Sequence, residues 1–158
     1  MTTGQITKSR TKPRNILRGI VPTSDTFDDP QPTSLGNATD GNFSTETGAG
    51  TKVLGGAGTV GQYTFDLGSI KTVIVGARVS VSQNASATIR VLADSSDDNN
   101  TWRTMTNILY ATTSVTLRIE EILPSILTGR YIRLRIYSTG ACTASSKIQE
   151  AYAYELGI

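Results

Sequence analysis

Carboxylates are the side chains in this sequence with the most obvious capacity for chemistry, and three of them lie close together. The segment 93–102, Ala-Asp-Ser-Ser-Asp-Asp-Asn-Asn-Thr-Trp, contains Asp94, Asp97 and Asp98. A glycosidase needs two carboxyl groups held across a cleft, one of them with a raised pKa. Because Asn, Asp and Ser dominate this segment, it is predicted to be a short, solvated hairpin turn, in which carboxylates accept hydrogen bonds from the main chain rather than catalyse.

The inventory of reactive residues excludes most catalytic arrangements. The 158 residues include no His and a single Cys, Cys142, so His-based zinc sites, Ser-His and Cys-His catalytic pairs and disulfides are excluded. The Gly-rich run 55–58 lacks the Lys-Ser/Thr pair of a phosphate-binding loop. The chain is therefore expected not to be an enzyme.

Charge divides the chain into two parts. The first 20 residues carry five cations and no acid, so the 15 basic and 13 acidic residues of the whole chain leave 10 basic and 13 acidic residues, a net charge of −3, for residues 21–158. Segment 1–34 also holds four of the five prolines and no sustained apolar period. The composition predicts an extended basic N-terminal arm, 1–34, and a folded domain, 35–158.

Two interpretations of the arm stay open. It is either a solvated terminus or a strap whose apolar residues bury against a protein partner while its cations meet acidic groups. The acidic body disfavours nucleic acid as that partner. The candidate partner-binding residues are Lys8, Arg10, Lys12, Arg14, Ile16, Leu17 and Arg18.

From about residue 35 the sequence consists of short β-type runs separated by turn residues. The runs are 62–67, 72–81, 87–92, 102–105, 114–119, 131–137 and 147–156. Strand 131–137, Tyr-Ile-Arg-Leu-Arg-Ile-Tyr, places its aliphatic residues on one face and Tyr131, Arg133, Arg135 and Tyr137 on the other. A solvated sheet surface and a ligand site are both possible interpretations of the second face. The pattern predicts an all-β sandwich of seven or eight strands.

Five segments, in order, resemble the discoidin, or coagulation-factor C-type, domains and the related galactose-binding-like carbohydrate modules. They are Asn37–Thr45 (NATDGNFST), Tyr63–Gly68 (YTFDLG), Ala93–Trp102, Gly129–Leu134 (GRYIRL) and Lys147–Tyr152 (KIQEAY). The resemblance covers about 120 residues, Leu35 to Gly157. It implies a jelly-roll β-sandwich.

The resemblance also implies candidate ligands. Members of this family often hold a structural calcium ion, and the matching residues here are Asp40, Asn42, Thr45 and Glu150. The alternative is an Asx-type turn at Asp40 with Glu150 accepting loop amides. For a glycan, the resemblance suggests a ligand loop with Asn42 and Lys52. Against it, residues 46–61 contain no aromatic residue for a saccharide platform.

Three functional hypotheses follow from these observations. The first is a phage virion protein, a capsid decoration or tail and baseplate accessory, that docks on other virion proteins through its arm. We expect it to be a homo-oligomer, assembled in the host cytoplasm and not associated with membranes. The second is a carbohydrate-binding module for a host-surface or other polysaccharide, and the third is an accessory domain of an enzyme.

Overall fold

The computed structural model describes residues 13–42, 44–85, 87–105, 111–112 and 116–157, with side chains described outside 104–125. Within these ranges the chain forms β-strands and one 3-10 helix, Leu35–Thr39. The strands are β1 (Thr23–Asp25), β2 (Gly50–Leu54), β3 (Gly58–Gln83), β4 (Ile89–Ser96), β5 (Arg103–Met105), β6 (Ala111–Thr112), β7 (Thr116–Ser138) and β8 (Cys142–Glu155). The described part of the chain contains no helix of the length and apolarity that crossing a membrane requires.

Strands β3 and β7 are long because each runs through both layers of a sandwich. Residues 58–66 of β3 pair with 131–138 of β7, which pair with β4, while β1, β5 and β6 complete this first sheet. From Lys71 onward, β3 pairs with 116–129 of β7 on one side and with β8 on the other, and β8 pairs with β2. The register shifts between Asp66 and Lys71, where Gly68 has a φ of 79° that suits glycine. The prediction of an all-β sandwich is confirmed.

The core lies between the two sheets. Strand alternation turns Tyr63 and Phe65 of β3 and Ile132, Leu134 and Ile136 of β7 inward, each with 0% exposure. Across the core, the Tyr63 hydroxyl donates to the carbonyl of Ser146 on β8 at 3.4 Å. Burying a large apolar side chain stabilises the fold by about 1.5–3 kcal/mol, so the period-two pattern explains which residues of these strands form the core.

Residues 13–34 differ from the arm that the composition of 1–34 predicts, because they lie on the sandwich itself. Ile16 donates its amide to the carbonyl of Ala153 at 2.9 Å. The Asn15 side-chain oxygen accepts the amides of Leu17 and Ala153, both at 3.0 Å. Leu17 is fully buried in the core. The apolar residues expected to bury against a partner therefore cover this chain's own sheets.

Candidate functional site

The Asp40 loop is built by hydrogen bonds around one carboxylate. Asp40 accepts the Asn42 amide at 2.7 Å and the Thr45 hydroxyl at 2.6 Å. Gly41 has a φ of 80°, in the left-handed region that favours glycine. This is the Asx-type turn considered for the Asp-Gly pair, and it holds the two oxygens of Asp40 and the hydroxyl of Thr45 at one point.

Glu150 reaches the same loop from β8. It is 2% exposed, and one carboxylate oxygen accepts the Gly41 amide at 3.1 Å. Its other oxygen is buried without a hydrogen-bond partner. Burial raises the pKa of Glu150, and the charge of Asp40 adds to this effect, whereas the Gly41 amide and the Arg18 charge oppose it.

The four residues predicted from the resemblance to hold calcium are thus brought together. Asp40, Asn42 and Thr45 share one loop, and Glu150 approaches it through Gly41. Carboxylate, hydroxyl and carbonyl oxygens are the ligands that calcium prefers, and the unpartnered oxygen of Glu150 would gain a partner from a cation. The residues present therefore fit a calcium ion, although they include only two carboxylates, and no group of three or more Asp, Glu, His or Cys among the described residues is arranged to hold a metal ion.

A groove of about 200 Å³ lies at one end of the first sheet's outer face. We call it the Tyr131 groove. Its lining combines one aromatic ring with hydrogen-bonding side chains and an apolar rim. The residues are Tyr131, Asp66, Asn99, Thr23 and Thr64, with Ile20 and Val21 at the rim. Hydroxyl, amide, carboxylate and phenol groups thus converge on one space.

Asp66 and Arg130 fix the wall of the Tyr131 groove. The guanidinium of Arg130 donates two hydrogen bonds to Asp66, at 2.9 and 2.8 Å, and Asp66 also accepts the Gly68 amide at 2.8 Å. These bonds hold the pKa of Asp66 below its usual value, with the Arg130 hydrogen bond as the largest cause. The Arg130 guanidinium also lies 5.0 Å from the Tyr131 ring centre. The pair leaves the groove wall polar but electrically neutral.

The turn after β4 presents Asn99 to the Tyr131 groove. The carboxylate of Asp98 accepts the amides of Asn100 and Thr101, at 2.9 and 2.7 Å, and the Ser96 hydroxyl at 2.9 Å. The amide hydrogen bonds, that of Thr101 above all, hold the pKa of Asp98 far below its ordinary value. Asn99 occupies the left-handed region with φ 61°. The predicted turn role of Asp98 is confirmed, and the turn itself is preorganised.

Asp97 and Asp94 have different roles. Asp97 forms an exposed ion pair with Arg103 at 2.8 Å, as expected of a turn residue. Asp94 is fully buried and contacts the guanidiniums of Arg133 and Arg135, at 2.7 and 2.5 Å. The expectation of a solvated turn is therefore wrong for Asp94, because β4 pairs with β7 and places both arginines beside it.

The predicted ligand loop is not assembled in the structure. Lys52 lies on β2, where its ammonium pairs with Asp28 at 2.7 Å. The side-chain oxygen of Asn42 accepts the amide of Ser44 at 3.0 Å. Among the described residues, no contact joins Lys52 to Asn42. The sequence missed the Tyr131 groove because its lining comes from four separate segments, and the outward position of Tyr131 on its strand is the one signal that points to it.

The residues proposed for partner binding fall into four groups. Lys8, Arg10 and Lys12 lie outside the described residues. Arg14 is exposed. A methyl group added to Gly41 would lie 3.2 Å from the Arg18 guanidinium, so Arg18 packs on the Asp40 loop. Ile16 and Leu17 pack on the sandwich, as described above.

Comparison with solved structures identifies the fold. Chitosan-binding module 1 of a chitosanase/glucanase from Paenibacillus sp. IK-5 aligns with a TM-score of 0.52 at 19% identity, over 89% of this chain and 98% of the module. CBM32-3 from a family 31 glycoside hydrolase of Clostridium perfringens gives 0.51 at 15% identity, over 91% and 95%. A pectin binding carbohydrate binding module gives 0.50 at 14% identity, over 90% and 91%.

The chain therefore has the galactose-binding-like, discoidin-like jelly-roll fold. No protein-family model matches the sequence, and neither does any curated protein. None of these likenesses bears on a virion partner, a homo-oligomer or the place of assembly, which stay predictions.

Proposed function

We propose that this chain is a non-catalytic carbohydrate-binding module whose ligand occupies the Tyr131 groove. The observation that carries the proposal is the convergence of one aromatic ring and several hydrogen-bonding side chains from separate segments. A sugar ring has an apolar face of C–H groups, which packs on an aromatic ring, and a rim of hydroxyls, which pair with carboxylate, amide and hydroxyl groups.

The rigidity of the Tyr131 groove supports the proposal. Asp66 is held by Arg130 and Gly68, and Asn99 is held by the Asp98 turn. A site fixed before the ligand arrives loses little conformational entropy on binding. The volume of about 200 Å³ suits a single sugar ring rather than a larger ligand.

The comparisons support the same class of ligand. The similar modules are described by their names as binding chitosan or pectin, or as family 32 carbohydrate-binding modules. Because the fold hosts modules of this kind, a saccharide is the first ligand class to test. The virion role considered from the sequence gains no comparable support.

Calcium has a structural part in this proposal. Asp40, Asn42, Thr45 and Glu150 would hold the ion, whose charge would offset the repulsion between the two carboxylates. The site lies outside the Tyr131 groove lining, so calcium would stabilise the sandwich rather than contact the sugar.

The proposal is tested by measuring glycan binding to Tyr131→Ala and Asn99→Gly variants, first on an array and then by titration calorimetry. Glycine tolerates the left-handed conformation of residue 99, so the second variant removes the amide without straining the turn. Each is expected to lower affinity about tenfold or more, as central interface residues do.

Tyr154→Ala is the matched control, since Tyr154 lies on the second sheet. Loss of binding in Tyr154→Ala with unchanged binding in Tyr131→Ala would move the site to the second sheet. An array without any glycan hit would refute the proposed function.

A further inference from the structure

The outer face of the second sheet carries a row of apolar side chains near the end of β8. Register places Tyr154 of β8 and Ile126 of β7 on either side of Ile74 of β3. Their neighbours along the strands, Val73 and Leu127 among them, are buried in the core, so the three side chains of the row turn outward. Ile126 is 54% exposed. The sheet therefore presents apolar surface on its solvent side.

A groove of about 510 Å³ lies at this row. We call it the Tyr154 groove, and its lining residues are Pro13, Ile74, Tyr154, Glu155 and Leu156. Glu155 accepts a hydrogen bond from Lys71 at 3.2 Å, and its side chain is still 46% exposed. Because a carboxylate accepts several hydrogen bonds, it is able to meet a second cation. The lining therefore suits an occupant with an apolar side chain and positive charge.

The N-terminal end of the described chain lies at this groove. Asn15 forms an antiparallel bridge with Tyr154, and its side-chain oxygen accepts the amide of Ala153 at 3.0 Å. Antiparallel pairing directs the residues before Asn15 past the end of β8, where Pro13 lines the Tyr154 groove. Segment 1–12, which lies outside the described residues, is therefore joined to the fold at the wall of the groove.

The composition of segment 1–12 complements the Tyr154 groove. It includes the large apolar residues Met1 and Ile6 and no acidic residue. Its cations are Lys8, Arg10 and Lys12. Ile6 precedes Pro13 by seven residues, a reach of up to about 24 Å in an extended chain, whereas three neighbouring strands span about 10 Å. Ile6 is therefore able to reach any part of the apolar row.

We propose that segment 1–12 folds back over the second sheet and packs Ile6 against Ile74 in the Tyr154 groove, with its cations beside Glu155. Its attachment at Pro13 gives the segment an effective concentration of about millimolar at the groove, so a weak contact is sufficient. A second copy fits less well, because a stable interface takes about 20–30 residues a side. The docked segment acts as a strap, which a partner of its cations has to displace. This inference is independent of the proposed function.

Limited digestion of the full chain with trypsin tests the proposal, because the protease cuts after Arg10 only when the segment leaves the groove. Each rate is divided by that of a synthetic peptide of residues 1–16 with the same segment sequence. The relative rate follows the released fraction when docking is fast. Ile74→Thr should raise it about tenfold. Val53→Thr, at a side chain 64% exposed on β2, is the matched control and should not change it.

Ile6→Ser leaves the sandwich unaltered and keeps the proposal falsifiable if Ile74→Thr lowers the melting temperature. It should accelerate cleavage as Ile74→Thr does, and the double variant should be no faster than the faster single variant, because both changes remove one contact.

Equal relative rates for the wild type and Ile6→Ser would overturn the proposal, as would additive acceleration in the double variant. Protection that disappears on dilution, with a dimer in sedimentation, would assign the groove to the segment of a second copy and would overturn it as well. None of these outcomes affects the glycan proposal.

Discussion

Asp98, Asp94 and Glu150 are carboxylates in three different environments, and the environment decides what each one does. Asp98 is exposed and accepts hydrogen bonds from main-chain amides, and these bonds fix the conformation of the turn. Asp94 is buried between two guanidiniums, so its charge is compensated. Glu150 is buried with one oxygen unpartnered. Burial of a charge without a partner is costly, and Glu150 is therefore the residue whose ionisation should be visible in stability.

The first prediction concerns the pH dependence of Glu150. Its pKa in the folded state lies above the ordinary 4.5, so the folded state binds the proton more tightly than the unfolded state does. Without a bound metal, this residue should therefore make the protein less stable as pH rises from about 4.5 through the raised pKa. Melting temperatures measured across that range in chelator should fall for the wild type relative to Glu150→Gln.

Calcium should reverse this effect, because a cation favours the ionised carboxylate. Adding calcium at neutral pH should raise the melting temperature of the wild type in proportion to the logarithm of its concentration, but not that of Glu150→Gln. Glu155→Gln, an exposed carboxylate on the same strand, is the control and should retain the calcium response. A wild-type protein that melts at the same temperature in calcium and in chelator would argue against the metal site.

At the scale of elements, one aromatic ring fastens the segment after β1 to the first sheet. Phe27 is 6% exposed, and its ring lies 5.6 Å from that of Tyr63 in an edge-to-face arrangement. Gly61 of β3 and Gly50 of β2 face this ring, and a methyl group added to either would overlap it. The absence of side chains at the two glycines thus leaves room for the Phe27 ring. Glycine is required at these positions by close packing and not by turn geometry.

The second prediction tests this packing. Gly61→Ala should destabilise the protein by about 1–3 kcal/mol, because the new methyl group displaces the ring of Phe27. Gly55→Ala is the matched control: nothing lies within 4 Å of its added methyl group, so the change should be within about 0.5 kcal/mol. Urea unfolding of both variants measures the difference. Equal stability of the two would contradict the role of Gly61, and a smaller penalty for Gly61→Ala in a Phe27→Leu background would support it.

At the scale of the whole molecule, the boundary of the folded domain within residues 1–34 differs from the one that composition predicts. The basic charge ends at about residue 20, and the prolines continue to residue 32, which predicts a boundary near 34. The structure instead joins residues 13–34 to the sandwich through Leu17, the pairing of β1 with β3, and Phe27. A lattice-docking role would therefore have to rest on Lys8, Arg10, Lys12 and the exposed Arg14 and Arg18.

The third prediction follows from this division. Deleting residues 1–12 should leave cooperative thermal unfolding intact, whereas deleting 1–34 should abolish it, because the second deletion removes Leu17, β1 and Phe27 from the fold. Leu17→Ala in the full chain should cost about 2–5 kcal/mol, and Val21→Ala, at a side chain 63% exposed, about 0.5 kcal/mol or less. Calorimetry measures all four. A cooperative transition after deletion of 1–34 would restore the arm as a separate segment.

Deletion of residues 1–12 also tests docking to a larger particle, because the sandwich stays folded in this variant. It removes three of the five arm cations and keeps the sandwich. Unchanged co-sedimentation of this variant with a particle would contradict docking through those residues.

The sequence by itself determined the fold class and the faces of strand 131–137, but its predicted runs did not include β1 and β2. Alternation in 131–137 is a local property, set by the requirement that apolar side chains leave water, and it correctly separated Ile132 and Leu134 from Tyr131 and Arg133. The Asp98 turn was also predictable, since its bonds reach only two or three residues along the chain. The residues for calcium came from the resemblance, which paired Asp40 with Glu150 across 110 positions.

Only the tertiary structure decided which surfaces meet. The Tyr131 groove joins residues from 20 to 131, and Leu17 fills the chain's own core rather than a partner's. The hydrophobic effect is not directional and does not specify which surface a residue packs against. A run such as Ile16-Leu17 is therefore equally suited to any apolar surface. The choice of surface depends on strand pairing and layer packing over the whole chain, and a local pattern of residues does not contain that information.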